Sequence, residues 1–308
     1  MNAPVVTPRL LGKQSTPAGR RSELPARRAV VMAHFHPQGA IPPHTAQLLG
    51  CLSSLSDRIV LVSTRLADSA RASLPPGIEV IVRENVGYDF CSYQLGISVL
   101  GDLSCWDELI IANDSIYLLF PDRLAAVVTA MRHADVDLWG LTASHQQRLH
   151  LQSYFVAFNR PLLQDEAFAR FWSGIEVLHE KSEIVRRYEV GLTGNFLAAG
   201  YRVGVALEPT TTDRVRMAWL RTNRNPLRFL GRITRMAINP AYGAQNPTHF
   251  LWERVLATLG YIKVDLVRSN DRKIALDRLP RHLSPDQYRD LQQAAGALRT
   301  AAAQADGK

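Results

Sequence analysis

Residues Asp107 to Tyr117 read DELIIANDSIY. The apolar centre, Leu109-Ile110-Ile111-Ala112, has the look of a strand buried on both faces. It stops abruptly at Asn113-Asp114-Ser115. Asn and Asp end strands readily, so one reading is a strand followed by a turn. The other is a strand whose carboxyl end delivers the Asp114 carboxylate into a crevice. In open α/β sheets ligands sit at that end of the strands. A carboxylate there can hold a hard divalent cation, Mg²⁺ or Mn²⁺, that also grips a diphosphate.

Working outward, short apolar runs alternate with helical spacing. Strands are expected at Ala29–Phe35, Arg58–Ser63, Ile78–Val82, Leu109–Ala112 and Val136–Leu141. Between them lie helices at Ala46–Leu55, Ala67–Ser73, Phe90–Leu100 and Pro121–His133, the last with Pro in its first turn. Such alternation implies βαβ units and a mainly parallel sheet with helices on its faces. Beyond Thr142 the spacing predicts a strand over His150–Phe158 and a mostly amphipathic helix over Asp165–Arg187. From Glu189 it predicts a helix that stops at Gly200, then a strand. Ser284-Pro285-Asp286-Gln287 is a capping box with Pro at the first helical position, opening a surface helix to Ala303.

The 308 residues therefore divide into a disordered basic arm (1–28), an α/β domain (29–270) and a tail with a surface helix (271–308). The arm lacks the continuous apolar core of a signal peptide. No segment holds enough consecutive apolar residues to span a bilayer. Three cysteines, Cys51, Cys91 and Cys105, lack metal-like spacing and cannot pair without one left over, which favours a reducing compartment. A net charge of +8 suggests an anionic partner: nucleic acid, a membrane surface or a phosphorylated substrate.

Gly-rich phosphate loops, HExxH, paired CxxC and GxSxG are all absent, which argues against hydride transfer, ATP hydrolysis and acyl hydrolysis. Asn85, Gly87 and Asp89 lie between the third strand and its helix. Gly87 permits close backbone approach, and Asp89 either caps the helix or meets a ribose hydroxyl. His34 and His36 flank Phe35 as a metal pair, a nucleotide contact or plain loop residues. Glu189 stands where a helix dipole favours a carboxylate, and equally where a general base could be delivered. From Arg214 to Arg235, seven arginines alternate with apolar residues, and no acid occurs between Asp213 and Glu253. That pattern suits a membrane-surface segment, a nucleic-acid face or a solvated face.

The order of these pieces resembles the GT-A fold of nucleotide-sugar glycosyltransferases, and more closely the rhamnan synthesis protein F family. The resemblance rests on NVGYD at Asn85–Asp89, NDS at Asn113–Ser115, Gly140-Leu141-Thr142 and Gln152-Ser153-Tyr154-Phe155. It continues through Trp252, Gly260-Tyr261 and KVDLVRSN at Lys263–Asn270. It implies a hexosyltransferase that moves a sugar, rhamnose by the family's name alone, from a nucleotide-diphosphate sugar to a cell-surface polysaccharide or lipid-linked glycan, such as the O-antigen of lipopolysaccharide. It further implies an inverting displacement with Glu189 as base. Asp114 would serve at the diphosphate, and His34, Asn85, Gly87, Asp89, Asn113, Ser115, Thr142, Gln152 and Ser153 would line the substrate site.

The family's metal motif is reduced here to Asp114 flanked by Asn113, and its Glu/Asp pair to Glu189 followed by Val190. Either Mg²⁺ or Mn²⁺ is held through Asp114, or Arg and Lys neutralise the leaving group. The lipid-linked acceptors favour the membrane reading for Arg221, Arg224, Arg228 and Arg232, and hence a cytoplasmic protein peripheral to the inner face of the cytoplasmic membrane. No RNA-recognition or helix-turn-helix signature supports a nucleic-acid partner. The alternative is a non-catalytic glycan- or nucleotide-binding protein of the same fold.

Overall fold

The structure is a computed structural model describing residues 9–11, 27–222, 224–239 and 246–306. Eleven strands occur among the described residues: β1 (Arg9–Leu11), β2 (Arg28–His34), β3 (Arg58–Ser63), β4 (Ile78–Val82), β5 (Glu108–Asn113), β6 (Ile116–Leu118), β7 (Leu138–Ser144), β8 (His150–Leu151), β9 (Phe155–Asn159), β10 (Val203–Leu207) and β11 (Tyr261–Lys263). The main sheet runs β1-β10-β7-β9-β5-β2-β3-β4, with β8 paired to β7. The registers make β10, β7, β5, β2, β3 and β4 co-directional, while β9 runs antiparallel between β5 and β7. The expected α/β fold, with a mainly parallel sheet between helices, is therefore present.

Side chains alternate across this sheet because the strand period is two. Val30, Met32, Ile59, Leu61 and Ile110 point to one face. There they meet helices α1 (Pro43–Ser53) and α4 (Pro121–Arg132). Val31, Val60, Val62, Leu109 and Ile111 point to the other. That face is covered by α3 (Tyr88–Leu100), among others. At Gly96 of α3 a Cβ would overlap the Val31 side chain, so glycine lets the helix approach β2. A short helix, α2 (Asp68–Ala72), links β3 to β4.

The amino ends of the strands are closed by buried ion pairs. Arg28 at the start of β2 meets Glu108 at the start of β5 at 2.5 Å. Arg202, just before β10, meets Asp137, just before β7, at 2.7 Å. The carboxyl ends are left for chemistry. The chain leaves β2 toward β3 and β4, then crosses back to β5 on the other side of β2. That reversal opens a crevice between the carboxyl ends of β2 and β5.

Four expectations need correction. The strand over 150–158 is two strands, β8 and β9, broken where the Ser153 N–H turns to the Glu189 carboxylate at 3.1 Å instead of the ladder. The helix over 165–187 is also interrupted. After α5 (Arg160–Leu163), α6 (Glu166–Ser173) ends at Gly174, and α7 (Lys181–Ile184) runs into a π-turn at Val185–Glu189 and then α8 (Val190–Ala198). The fifth strand lies at Leu138–Ser144 rather than Val136–Leu141, because Val136 and Asp137 are spent on a turn and the Arg202 pair. Within the arm expected to be disordered, Arg9–Leu11 adds an antiparallel edge strand to β10. The rest of that arm lies outside the described residues, apart from Arg27 and Arg28.

The C-terminal third adds α9 (Thr211–Arg221), α10 (Pro226–Ile238), α11 (Pro247–Phe250), α12 (Trp252–Leu259), α13 (Val264–Arg268) and α14 (Pro285–Asp306). The amphipathic α14 buries Leu291 and Ala294 against Leu266 and Leu279. A small antiparallel sheet, β6 with β11, brings Lys263 beside Ile116. No described helix is long and apolar enough to cross a membrane.

Candidate functional site

A cleft of about 590 Å³ lies over the carboxyl ends of β2 and β5. It gathers His34, Asn85, Gly87, Asp89, Asn113, Asp114 and Ser115 from the sequence expectations. Three loops build it. The first follows β2, where the Phe35 N–H donates to Asp114 Oδ2 at 3.2 Å. His34 is fully buried, with Nδ1 against Ser63 Oγ at 2.9 Å and Nε2 at 3.9 Å from Asp114 Oδ2. Burial and the nearby His36 push the His34 imidazole down to about 4, so it is neutral.

The second loop is Asn85–Asp89. Gly87 takes φ 67° as the N-cap of α3, and a Cβ there would overlap Cys91 Sγ. Tyr88 follows at φ 53°. Arg83 ties the loop together by donating to the carbonyls of Glu84, Val86 and Tyr88. The capping reading of Asp89 does not hold, because no side chain caps α3. Asp89 Oδ2 instead accepts from Asn113 Nδ2 at 2.8 Å.

The third loop follows β5. Asn113 Oδ1 accepts from the Ser115 N–H at 3.1 Å and Ser115 Oγ at 2.6 Å. This Asx-type turn uses Asn113 to aim Asp114 into the cleft. Burial and the neighbouring Asp89 charge push Asp114 up to about 7. Burial likewise raises Asp89.

Lys263 is the residue that sequence reasoning missed. It lies in the KVDLVRSN segment, where a lone Lys carries no role on its face. Buried at the end of β11, it donates to Ser115 Oγ at 2.5 Å and sits 4.2 Å above the Tyr154 ring. Burial pulls it down to about 8, against the opposing pull of Asp265, Glu189, Asp89 and Asp114. Lys263 thus lies within the electrostatic reach of four carboxylates. Lys181 adds positive charge at the rim, where Arg268 pairs with Asp265 at 2.6 Å.

Thr142, Gln152, Ser153 and Glu189 form an adjoining network rather than the cleft wall. Glu189 accepts from both the N–H and Oγ of Ser153 at 3.1 Å. Thr142 donates to Gln152 Oε1 at 2.8 Å and lies 2.6 Å from Tyr154 Oη, which bonds Tyr261 Oη. Thr248 Oγ1 reaches Gln152 Oε1 at 3.5 Å. Glu189 stands at the end of the π-turn, continuous with α8, rather than as a free helix start.

The basic segment lies elsewhere, on α9 and α10. Two of its arginines have acidic partners. Arg214 pairs with Glu208 at 3.0 Å and Arg216 with Glu253 at 2.6 Å, partners brought in by the fold. Arg221 lies over the Phe250 ring at 5.2 Å. Arg224 and Arg228 are exposed, and Arg232 is half-buried.

Among the described residues no three His, Cys, Asp or Glu side chains converge as a ready metal cage. The cleft is lined by three carboxylates, Asp89, Asp114 and Asp265, the last paired with Arg268 at 2.6 Å, which leaves Asp89 and Asp114 to face a cation. That set still fits Mg²⁺, which is commonly held by one or two carboxylates plus substrate phosphate oxygens.

The family description "Rhamnan synthesis protein F" matches residues 59–270. The chain belongs to the rhamnan synthesis protein F family. Both cleft motifs, NVGYD and NDS, and Lys263 fall inside the stretch matched by rhamnan synthesis protein F. Among curated proteins it is 27% identical over 196 residues to Uncharacterized protein y4gN of Sinorhizobium fredii, covering 61% of this chain and 50% of that protein. It is 25% identical over 221 residues to Virulence protein VirA of Vibrio anguillarum, covering 69% of this chain and 70% of that protein. The chain thus spans half the length of y4gN. Among solved structures, a cytidylyltransferase from Leptospira borgpetersenii superposes with a TM-score of 0.36 at 12% identity, covering 72% of this chain and 98% of that one. A 4-diphosphocytidyl-2C-methyl-D-erythritol synthase gives 0.38 at 12% identity, covering 70% of this chain and 100% of that one.

Proposed function

We propose that this chain transfers a sugar from a nucleotide-diphosphate donor to a hydroxyl of a cell-surface polysaccharide or lipid-linked glycan, with inversion. Membership of the rhamnan synthesis family supports a transferase that uses a nucleotide sugar. The observation that carries the reading is the cluster of Asp89, Asn113, Asp114 and Lys263 at the switch point of the sheet.

In this mechanism the nucleotide lies against the Asn85–Asp89 loop, with Asp89 held by Asn113. The diphosphate faces Asp114 and the Lys263–Ser115 pair. A Mg²⁺ or Mn²⁺ held by Asp114 and Asp89 would neutralise charge on the departing diphosphate. Lys263 and Lys181 supply positive charge to the same region. Glu189, oriented by Ser153, takes the proton of the acceptor hydroxyl. The hydroxyl oxygen bonds the anomeric carbon, the bond from that carbon to the phosphate oxygen breaks, and nucleoside diphosphate leaves.

The test is a thermal-shift panel of nucleoside diphosphates with and without Mn²⁺, followed by an assay for free nucleoside diphosphate once acceptor is added. Stabilisation by one diphosphate with no release on any acceptor would favour the non-catalytic binder.

The reading includes attachment to the anionic inner face of the cytoplasmic membrane through α10. That helix buries none of its residues fully. Leu227, Leu230 and Ile238 are 83%, 65% and 82% exposed. Arg228 and Arg235 occupy a different arc of the same helix. Exposed apolar residues beside arginines suit insertion at a headgroup boundary.

A further inference from the structure

At the base of the α9–α10 hairpin lies a second cavity, of about 450 Å³, which shares no lining residue with the cleft at β2 and β5. Its apolar wall includes Trp219, Leu220, Phe250 and Ile274. Five cations line it, Arg216, Arg224, Arg272, Lys273 and Arg278, against two acids, Glu253 and Asp277.

Glu253 is already engaged. It pairs with Arg216 at 2.6 Å, Arg278 at 3.8 Å and His282 at 3.6 Å. Arg224, Arg272 and Lys273 then outnumber Asp277. Arg224 and Lys273 hold left-handed backbone, at φ 58° and 51°. That conformation costs a side-chain-bearing residue about 1–2 kcal/mol, and glycine or asparagine would bear it more easily. Arg272 also lies close enough to Arg221, as does Arg232, to help burial push Arg221 down to about 10.

We propose that this cavity binds the phosphate group of an amphipathic ligand, the phosphate against Arg224, Arg272 and Lys273 and the apolar portion against Trp219, Leu220 and Ile274. An Arg fork matches phosphate oxygens, and a Lys adds a point charge. The phosphate has two sources, a membrane headgroup or the carrier phosphate of a lipid-linked acceptor. The second source rests on the glycosyltransferase reading; the phosphate chemistry of the cavity does not.

The test is calorimetric titration of the full chain with octyl phosphate, with octyl glucoside as the uncharged control. Wild type should bind octyl phosphate and not octyl glucoside. The Arg224→Gln/Arg272→Gln/Lys273→Gln variant should lose at least tenfold in affinity while nucleoside diphosphates bind as in wild type. Asp114→Asn should keep the octyl phosphate affinity. Competition by phosphatidylglycerol vesicles assigns the site to a headgroup, and its absence assigns it to a carrier phosphate; both keep the phosphate site. The proposal is overturned if wild type does not bind octyl phosphate, if the triple variant binds it equally, or if nucleoside diphosphate displaces it. A chain that binds octyl phosphate in the cavity yet releases no nucleoside diphosphate from any donor would sink the transferase reading alone.

Discussion

Asn113 Nδ2 donates to Asp89 Oδ2 at 2.8 Å across 24 residues of sequence. The bond makes one site of two separate motifs, NVGYD and NDS. The same Asn113 holds Ser115 through its Oδ1, so a single amide orients both the Asp89 carboxylate and the turn that presents Asp114.

Asp114→Asn should therefore lower turnover by roughly two orders of magnitude or more with the fold intact. The carboxylate is removed while the turn set by Asn113 remains. Steady-state kinetics beside a thermal melt check this; wild-type turnover and an unchanged metal response would remove Asp114 from the mechanism.

Glu189→Gln separates a base from a tether. The amide oxygen of Gln can still accept from the Ser153 N–H, so the 150–155 connection should stay in place. Turnover should fall by roughly two to four orders of magnitude with donor affinity nearly unchanged. A variant that melts early but keeps its rate per folded molecule would reduce Glu189 to an anchor.

Lys263→Met leaves Asp89, Asp114 and Glu189 without their buried cation. Losing the charged donor to Ser115 Oγ costs about 1.5–3 kcal/mol of stability. Affinity for nucleoside diphosphate should fall about tenfold or more, which is roughly 1.4 kcal/mol of binding. Denaturant unfolding and calorimetry would show both losses. If neither appears, Lys263 is a bystander.

His44 gives a pH signature independent of catalysis. It is buried, stacks on Tyr117 at 5.2 Å, and is pushed down to about 4 by burial, with His34 and His36 adding repulsion. Its folded value lies below its unfolded value near 6.5. The unfolded chain therefore binds the extra proton first as pH falls. Stability tied to His44 is full above pH 6.5 and is lost between about 6.5 and 4, by up to about 3 kcal/mol. His44→Phe keeps the stack and should flatten that part of the stability–pH curve. An unchanged curve would show that His44 titrates normally.

For the membrane reading, Leu227→Ser/Leu230→Ser and Arg228→Gln/Arg235→Gln should each reduce sedimentation with anionic vesicles. The wild-type association should weaken steeply as salt rises. Neither pair should change turnover on a soluble acceptor mimic. Equal vesicle binding by both variants would show that α10 faces something other than lipid.

The central sheet was legible because strands buried on both faces are nearly continuous apolar runs, as in β2, β3 and β5. The cleft motifs were legible because Asn, Asp and Gly interrupt those runs at strand ends. The two-stranded β6–β11 sheet was not, since three-residue strands leave no periodic trace. Lys263 was hidden for the same reason: only that pairing brings it to Ser115 from 148 residues away. The partners of Arg214 and Arg216 were equally invisible, because Glu208 lies outside the basic segment and Glu253 is 37 residues from Arg216. The break at Gln152–Tyr154 was masked by the apolar residues on either side of it.

The most direct test of the central claim is nucleoside-diphosphate release. A panel of nucleotide sugars is offered with a polysaccharide or lipid-linked acceptor, and the released product is identified for wild type and Asp114→Asn. The account predicts free nucleoside diphosphate from at least one donor with wild type, dependent on acceptor and nearly abolished in the variant. Release of inorganic diphosphate in its place, or equal release by the two proteins, would contradict it.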